Sequence, residues 1–469
     1  MVFSSLSFLY LFLPATLLLY FVLPTKVRNM GLLAASLAFY FFGEQGYLVL
    51  MLAEILLTYL SGLLIGKTSG KCKKAVLVLY LVLEFCLLAV FKYAGLFTDT
   101  VNVLSGKPVF ASLKIHMPIG ISFYTFQCAS YVIDAYRDKR KVEKNLFCIA
   151  VYVSLFPQLI AGPIVRYDDV RDGLNVPALS AEHFGNGAFR FVIGLGKKVL
   201  LADRLFAFCE GAHAAGAPSA VLAWAEAIGY LLYVYFDFSG YSDMAIGIGE
   251  ILGFCFPENF DYPLISRSIR EFWRRWHITL GSWFRDYLYI PLGGSRCGIA
   301  KHIRNLLIVW ALTGLWHGAS WNFVVWGLSF GILLVLEMLL SKRNKEKNAD
   351  AKSSYLRCIP VFLITCLIFV WFRFSDFGEA VGQFGRMFGS APLWNREAAY
   401  YLRGGSVILI ASLIGATPIP QKAFLSAEKT RLGAKLLQIL RPLWMLVVLG
   451  VSTAYLVDGS FSPFLYFRF

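Results

Sequence analysis

Twelve apolar runs, several of them approaching the length that crosses a bilayer and with basic clusters between them, decide what this chain can fold into. They lie near residues 6–24, 30–43, 47–65, 75–95, 117–135, 146–163, 187–209, 220–254, 305–340, 358–374, 404–418 and 442–457. A helix needs ~20 apolar residues to cross the hydrocarbon core. Inside that core every backbone polar group must be satisfied within the segment or by a closed barrel. The runs lack the alternation of a membrane barrel strand, so the expected fold class is all-α, a polytopic membrane helical bundle. Only 16% of the 469 residues are charged and 58% are hydrophobic, against about 25% charged in a soluble domain.

The formal charge of +15 is not read as a nucleic-acid footprint, because the basic residues sit in the short loops. Lys26 and Arg28, then Lys67, Lys71, Lys73 and Lys74, then Arg137, Lys139, Arg140, Lys141 and Lys144 all become cytoplasmic if the N-terminus lies outside. The first run has no charged leader or cleavage site and is expected to stay as a span. Runs 187–209 and 220–254 contain Lys197, Lys198, Asp203, Arg204, Asp237 and Asp243. Charges there suggest broken or re-entrant helices lining protein or water. Residues 305–341 begin and end on one side and suit a helical hairpin, with Gly314 and Gly318 weakening the helix at its turn. The expectation is a single transmembrane domain over 1–469, with an extracytoplasmic tail at 458–469.

Ionisable groups in such a chain point to function. His317 lies in Trp310-Ala-Leu-Thr-Gly-Leu-Trp-His-Gly-Ala-Ser-Trp-Asn-Phe-Val-Val-Trp326, and His277 closes Arg270-Glu-Phe-Trp-Arg-Arg-Trp-His277. A neutral imidazole accepts protons near neutral pH, and Ser320, Trp321 and Asn322 offer partners to orient His317. A buried structural histidine reads equally well from these residues. Segment 266–290 predicts one amphipathic helix, its stripe formed by Ile269, Trp273, Trp276, Leu280, Phe284 and Tyr287, and His277 falls at the edge of that stripe. Segments 117–134 and 156–167 carry hydroxyls, amides and prolines that suit either a polar passage or ordinary helix packing. Asp237 and Asp243 are six residues apart, roughly 240° around a helix, so each is expected to pair with a base rather than form a dyad. The nine scattered cysteines include no CxxC pair and predict neither a disulfide framework nor a metal site. The two histidines lack a carboxylate or thiolate at metal-ligand spacing.

Five segments carry a family resemblance. Pro118-Ile-Gly-Ile-Ser-Phe-Tyr-Thr-Phe-Gln127, Phe156-Pro-Gln-Leu-Ile-Ala-Gly-Pro-Ile164, Asp237-Phe-Ser-Gly-Tyr-Ser-Asp-Met-Ala-Ile-Gly247, Phe272-Trp-Arg-Arg-Trp-His-Ile-Thr-Leu280 and Gly314-Leu-Trp-His-Gly-Ala-Ser-Trp-Asn-Phe323 resemble the membrane-bound O-acyltransferases. The likeness is to the branch that acetylates alginate and peptidoglycan. It implies a central tunnel, His317 as the catalytic histidine and His277 as its companion. It implies acetyl-CoA as the cytoplasmic acyl thioester donor, with no bound cofactor. It also implies a multi-pass bacterial cell-membrane location among membrane lipids, an extracytoplasmic serine hydrolase-like partner and a polysaccharide acceptor. The terminal Phe464-Leu-Tyr-Phe-Arg-Phe469 is similar to a motif of cell-envelope acylation systems in which the tyrosine carries the acyl group, which assigns that role to Tyr466. D-alanyl transfer to teichoic acids and, in another class, a polytopic transporter are the alternative readings. The transporter reading lacks the paired inverted halves usual there.

Overall fold

The computed structural model describes residues 2–111, 113, 115–175, 177, 179–344, 355–459 and 464. Among them the structure is helical, with one isolated antiparallel bridge between Phe260 and Trp276. Six helices are long and apolar enough to cross a membrane, so this is a multi-pass membrane protein. Two compact units divide the chain, one taking 1–191 and 241–258, the other 192–240 and 259–465.

The first unit contains α1 (Leu13–Val22), α2 (Thr25–Gly43), α3 (Leu48–Lys67), α4 (Gly70–Ser105) and α5 (Ile121–Arg137). α3 buries Glu54, Thr58, Ser61 and Ile65, the three-and-four spacing of one inward face. Its polar members therefore turn away from lipid, where they would be costly. Run 146–163 stops at its prolines. α6 (Leu146–Ser154) ends, α7 (Phe156–Leu159) adds a single turn, and Gly162 takes φ 99° with the Tyr241 ring 3.3 Å from where a Cβ would stand. α8 (Tyr167–Asn175) follows.

The runs expected to be broken are continuous. Residues 187–209 pass through α9 (Ala181–Gly196), a π-helical turn at Lys197–Ala202 and α10 (Asp203–His213), and 220–251 form one helix, α11 (Ala220–Ile251). Pairing accommodates the charges instead. In the second unit, Lys198 Nζ lies 2.8 Å from Asp203 and 2.7 Å from Asp237, with all three buried. In the first unit, Arg190 bridges Asp243, at 3.1 Å, and Glu258. Both α11 aspartates thus have the basic partners expected of them.

The break falls at 252–298 instead. The single helix expected over 266–290 is two short ones, α12 (Ile269–Arg275) and α13 (Ile278–Phe284), followed by a π turn at Arg285–Tyr289. The physical reason is competition for backbone bonds. Asp261 N donates to Arg275 O at 2.9 Å and Ile278 N to Asn259 O at 3.0 Å, so segment 259–261 takes groups a continuous helix would have paired internally. Ser268 caps α12 by accepting from Glu271 N at 3.0 Å, and Glu271 accepts from Arg267 N at 2.9 Å, close to a capping box.

α14 (Ile299–His317) and α15 (Trp321–Asn344) form the hairpin expected of 305–341. A Cβ on Gly314 would stand 2.2 Å from the Phe323 carbonyl oxygen, and one on Gly327 2.3 Å from that of Trp310. The helices therefore meet backbone to backbone, as small residues permit. α16 (Cys358–Arg373), α17 (Phe377–Phe388), α18 (Arg396–Gly415), α19 (Ile419–Glu428) and α20 (Arg431–Val457) complete the second unit. The most apolar windows of α18 and α20 are 17% buried against 78% for α11, so α11 is an interior helix and the other two are available to lipid.

Candidate functional site

The end of the α14–α15 hairpin and the α12–α13 break meet inside the second unit. His317 is the last residue of α14, with Gly318 beyond it in extended backbone that ends the helix. His277 lies between α12 and α13 at φ 44°, ψ 54°. That left-handed conformation is rare for a residue with a side chain, and it persists only where surroundings enforce it.

Asn259 does the enforcing. Its buried Oδ1 accepts from Thr279 N at 3.3 Å, from Thr279 Oγ1 at 2.9 Å and from His277 Nδ1 at 3.1 Å. A backbone N–H can only donate, so the shared acceptor is the amide oxygen, and the His277 proton sits on Nδ1. In the neutral ring Nε2 then carries the lone pair. That nitrogen is buried and meets no hydrogen-bond partner among the described residues.

Aromatic rings close the site. Phe238 stands edge-on to His277 at 4.6 Å between centroids, and Trp316 lies 5.8 Å from His277 and 4.9 Å from His317. Trp326 and Phe372 flank His317 at 4.8 and 5.4 Å. The two imidazoles thus share one indole neighbour, and both are buried. His277 lies outside every helix long enough to span. Its imidazole is held well below its ordinary range first by burial and then by the neighbouring His317 ring. A buried aromatic cluster with a neutral, tautomer-fixed imidazole is suited to accepting a proton from a hydroxyl.

The neighbours expected to orient His317 have another task. Asn322 Nδ2 donates to Phe374 O at 2.7 Å and to Asp376 O at 3.2 Å, and Ser320 Oγ to Ser375 O at 3.4 Å. They fasten the hairpin turn to the segment after α16, while Trp321 is largely exposed. Tyr466 lies outside the described residues. Phe464, two positions before it, is buried, and its ring centre stands 4.7 Å from Lys198 Nζ. Asn259 is the site residue that sequence reasoning missed. It is a lone asparagine in an ordinary loop, eighteen residues from its histidine, and no spacing marks it.

With this geometry in hand, similarity to known proteins can be stated. The membrane-bound O-acyltransferase family model matches residues 36–375, which include both histidines. The chain is 38% identical to "Probable alginate O-acetylase AlgI" of Azotobacter vinelandii, with 100% of both chains covered. It is 32% identical to "Peptidoglycan O-acetyltransferase" of Helicobacter pylori over 100% of this chain and 98% of that one. "Teichoic acid D-alanyltransferase" of Bacillus subtilis is 28% identical over 55% of this chain and 69% of its own length.

Proposed function

The chain belongs to the membrane-bound O-acyltransferase family and is an O-acyltransferase, and on that premise we propose that it moves acetyl groups across a bacterial cell membrane for O-acetylation of an extracytoplasmic polysaccharide. The donor is acetyl-CoA on the cytoplasmic side, reached through a tunnel in the bundle. The observation that carries this reading is the buried His277–Trp316–His317 cluster. It sets two buried imidazoles among aromatic rings, and proton transfer from a hydroxyl is the chemistry such groups can supply.

His317 is the general base. It takes the proton of the acceptor hydroxyl as that oxygen attacks the thioester carbonyl. The C–S bond breaks, and the leaving thiolate takes that proton from the His317 imidazolium to depart as coenzyme A. The acceptor is the Tyr466 phenol, whose ordinary pKa of about 10 makes a nearby base useful. His277 supports the same step from across Trp316. Tyr466 then hands the acetyl group to an extracytoplasmic serine hydrolase-like transferase and so to the polymer. Full-length similarity to acetyl-transferring relatives, against half-length similarity to a D-alanyl-transferring one, favours acetyl over D-alanyl.

Mass spectrometry of the purified protein incubated with acetyl-CoA tests the assignment. Acetyl-Tyr466 is expected in the wild type. His317→Ala is expected to slow its appearance by about 10²–10⁴-fold, the usual range for removing a general base. Wild-type labelling in His317→Ala would remove His317 from this role, and unchanged polymer acetylation in cells carrying Tyr466→Phe would remove the relay.

A further inference from the structure

Three helices of the first unit gather acids that no motif announces. Glu54 on α3, Glu84 on α4 and Cys128 on α5 are all buried, and one oxygen from each carboxylate and the thiol sulfur lie within 4.8 Å of one another. Glu54 and Glu84 are 2% and 1% exposed. None of their four carboxylate oxygens meets a hydrogen-bond partner at bonding geometry among the described residues; the two carboxyl groups interact with each other and Glu84 with the Tyr80 hydroxyl, and among the described residues neither is paired with a cationic side chain. One helical turn away on the same stripes, the Thr58 and Tyr80 hydroxyls bond each other at 3.1 Å. Close packing holds this layer, since a Cβ on Gly62 of α3 would meet the Tyr131 hydroxyl of α5 at 2.7 Å.

A buried carboxyl group with no cation beside it is costly to ionise in a membrane protein, and here two face each other. We propose that Glu54, Glu84 and Cys128 bind a divalent transition-metal cation of the zinc class between α3, α4 and α5. The donor chemistry selects the ion. Magnesium and calcium call for six or more oxygens, whereas one thiolate with carboxylate oxygens suits a borderline-soft ion of low coordination number. Zinc–ligand bonds of ~2.0–2.3 Å put tetrahedral donor atoms roughly 3.3–3.8 Å apart, inside the 4.8 Å within which the three donor atoms already lie. Binding releases two of the three acidic protons and leaves the site electrically neutral with the third group protonated. Cysteine spacing in the sequence predicted no metal centre, and the site arises from single residues on separate helices.

The full-length protein, purified in detergent, equilibrated with zinc chloride and desalted, is the sample. Elemental mass spectrometry is expected to find about one zinc per chain in the wild type and at least tenfold less in the E54Q/E84Q and C128S variants. X-ray absorption at the zinc edge of the wild type, which needs no variant to fold, is expected to show sulfur and oxygen ligation. Wild-type protein that retains no zinc overturns the proposal. So does a zinc shell built from nitrogen, or zinc content unchanged by the substitutions. A protonated-carboxyl infrared band in zinc-equilibrated, zinc-free wild type that E84Q removes would identify a proton shared by the two glutamates instead.

Discussion

Asn259 fixes which nitrogen of His277 carries a proton, and that role can be separated from its packing. Asn259→Ala removes the shared acceptor and frees the ring to change tautomer and leave its left-handed conformation. Acetyl transfer is expected to fall on the order of 10²-fold with the helical circular dichroism unchanged. Asn259→Asp keeps an acceptor oxygen and is expected to recover part of the loss. pH tests the same residue differently. Burial lowers the His277 pKa in the folded protein, so below about 6.5 the unfolded chain takes up a proton that the fold refuses. Its contribution to stability is therefore present above that pH and lost as pH falls through it. Thermal melts of His277→Gln in detergent should decline less than wild type between about pH 7.5 and about pH 5.5, and parallel declines would contradict this. His317 and His277 stand out as candidates in the sequence because imidazoles are conspicuous among apolar residues. Asn259 does not, because asparagine is at home in any loop.

Elements show where periodicity informs and where it stops. The α14–α15 hairpin was readable because an apolar run too long for one span must turn back, and glycines mark the turn. Its closeness is testable: Gly314→Ala pushes a methyl into the Phe323 carbonyl and should destabilise the protein by about 1–3 kcal/mol. That loss is measurable as a lower melting temperature, with transfer activity falling as His317 is displaced. The α12–α13 break was not readable. Trp273, Trp276, Leu280 and Phe284 keep helical spacing straight across it, and spacing reports which side chains turn inward, not whether the backbone between them is continuous. Conversely, charges in 187–209 and 220–254 suggested breaks where a π turn and the ion pairs Lys198–Asp237 and Arg190–Asp243 keep the helices whole.

For the whole molecule, the basic loops make a claim about sidedness. In that arrangement α14 starts in the cytoplasm and the exposed Ala319, just past His317, lies toward the far face. In a cysteine-free background, Ala319→Cys should react with a membrane-impermeant maleimide added to intact cells, and Lys301→Cys only after the membrane is opened. The reverse pattern would invert the topology and the direction of acyl transfer with it. Fold class and membrane character could be read from the length and pattern of the apolar runs, since few architectures satisfy a backbone in lipid. The grouping of Glu54, Glu84 and Cys128 could not, because it depends on how three separate helices rotate about their axes. Phe464 adds a matter of reach. It sits buried over Lys198, beside the Asp203–Lys198–Asp237 triad, although the two residues are far apart along the chain. Covering that buried cation is therefore a contact of long sequence separation, the kind that forms late in folding because the loop between its partners must close first.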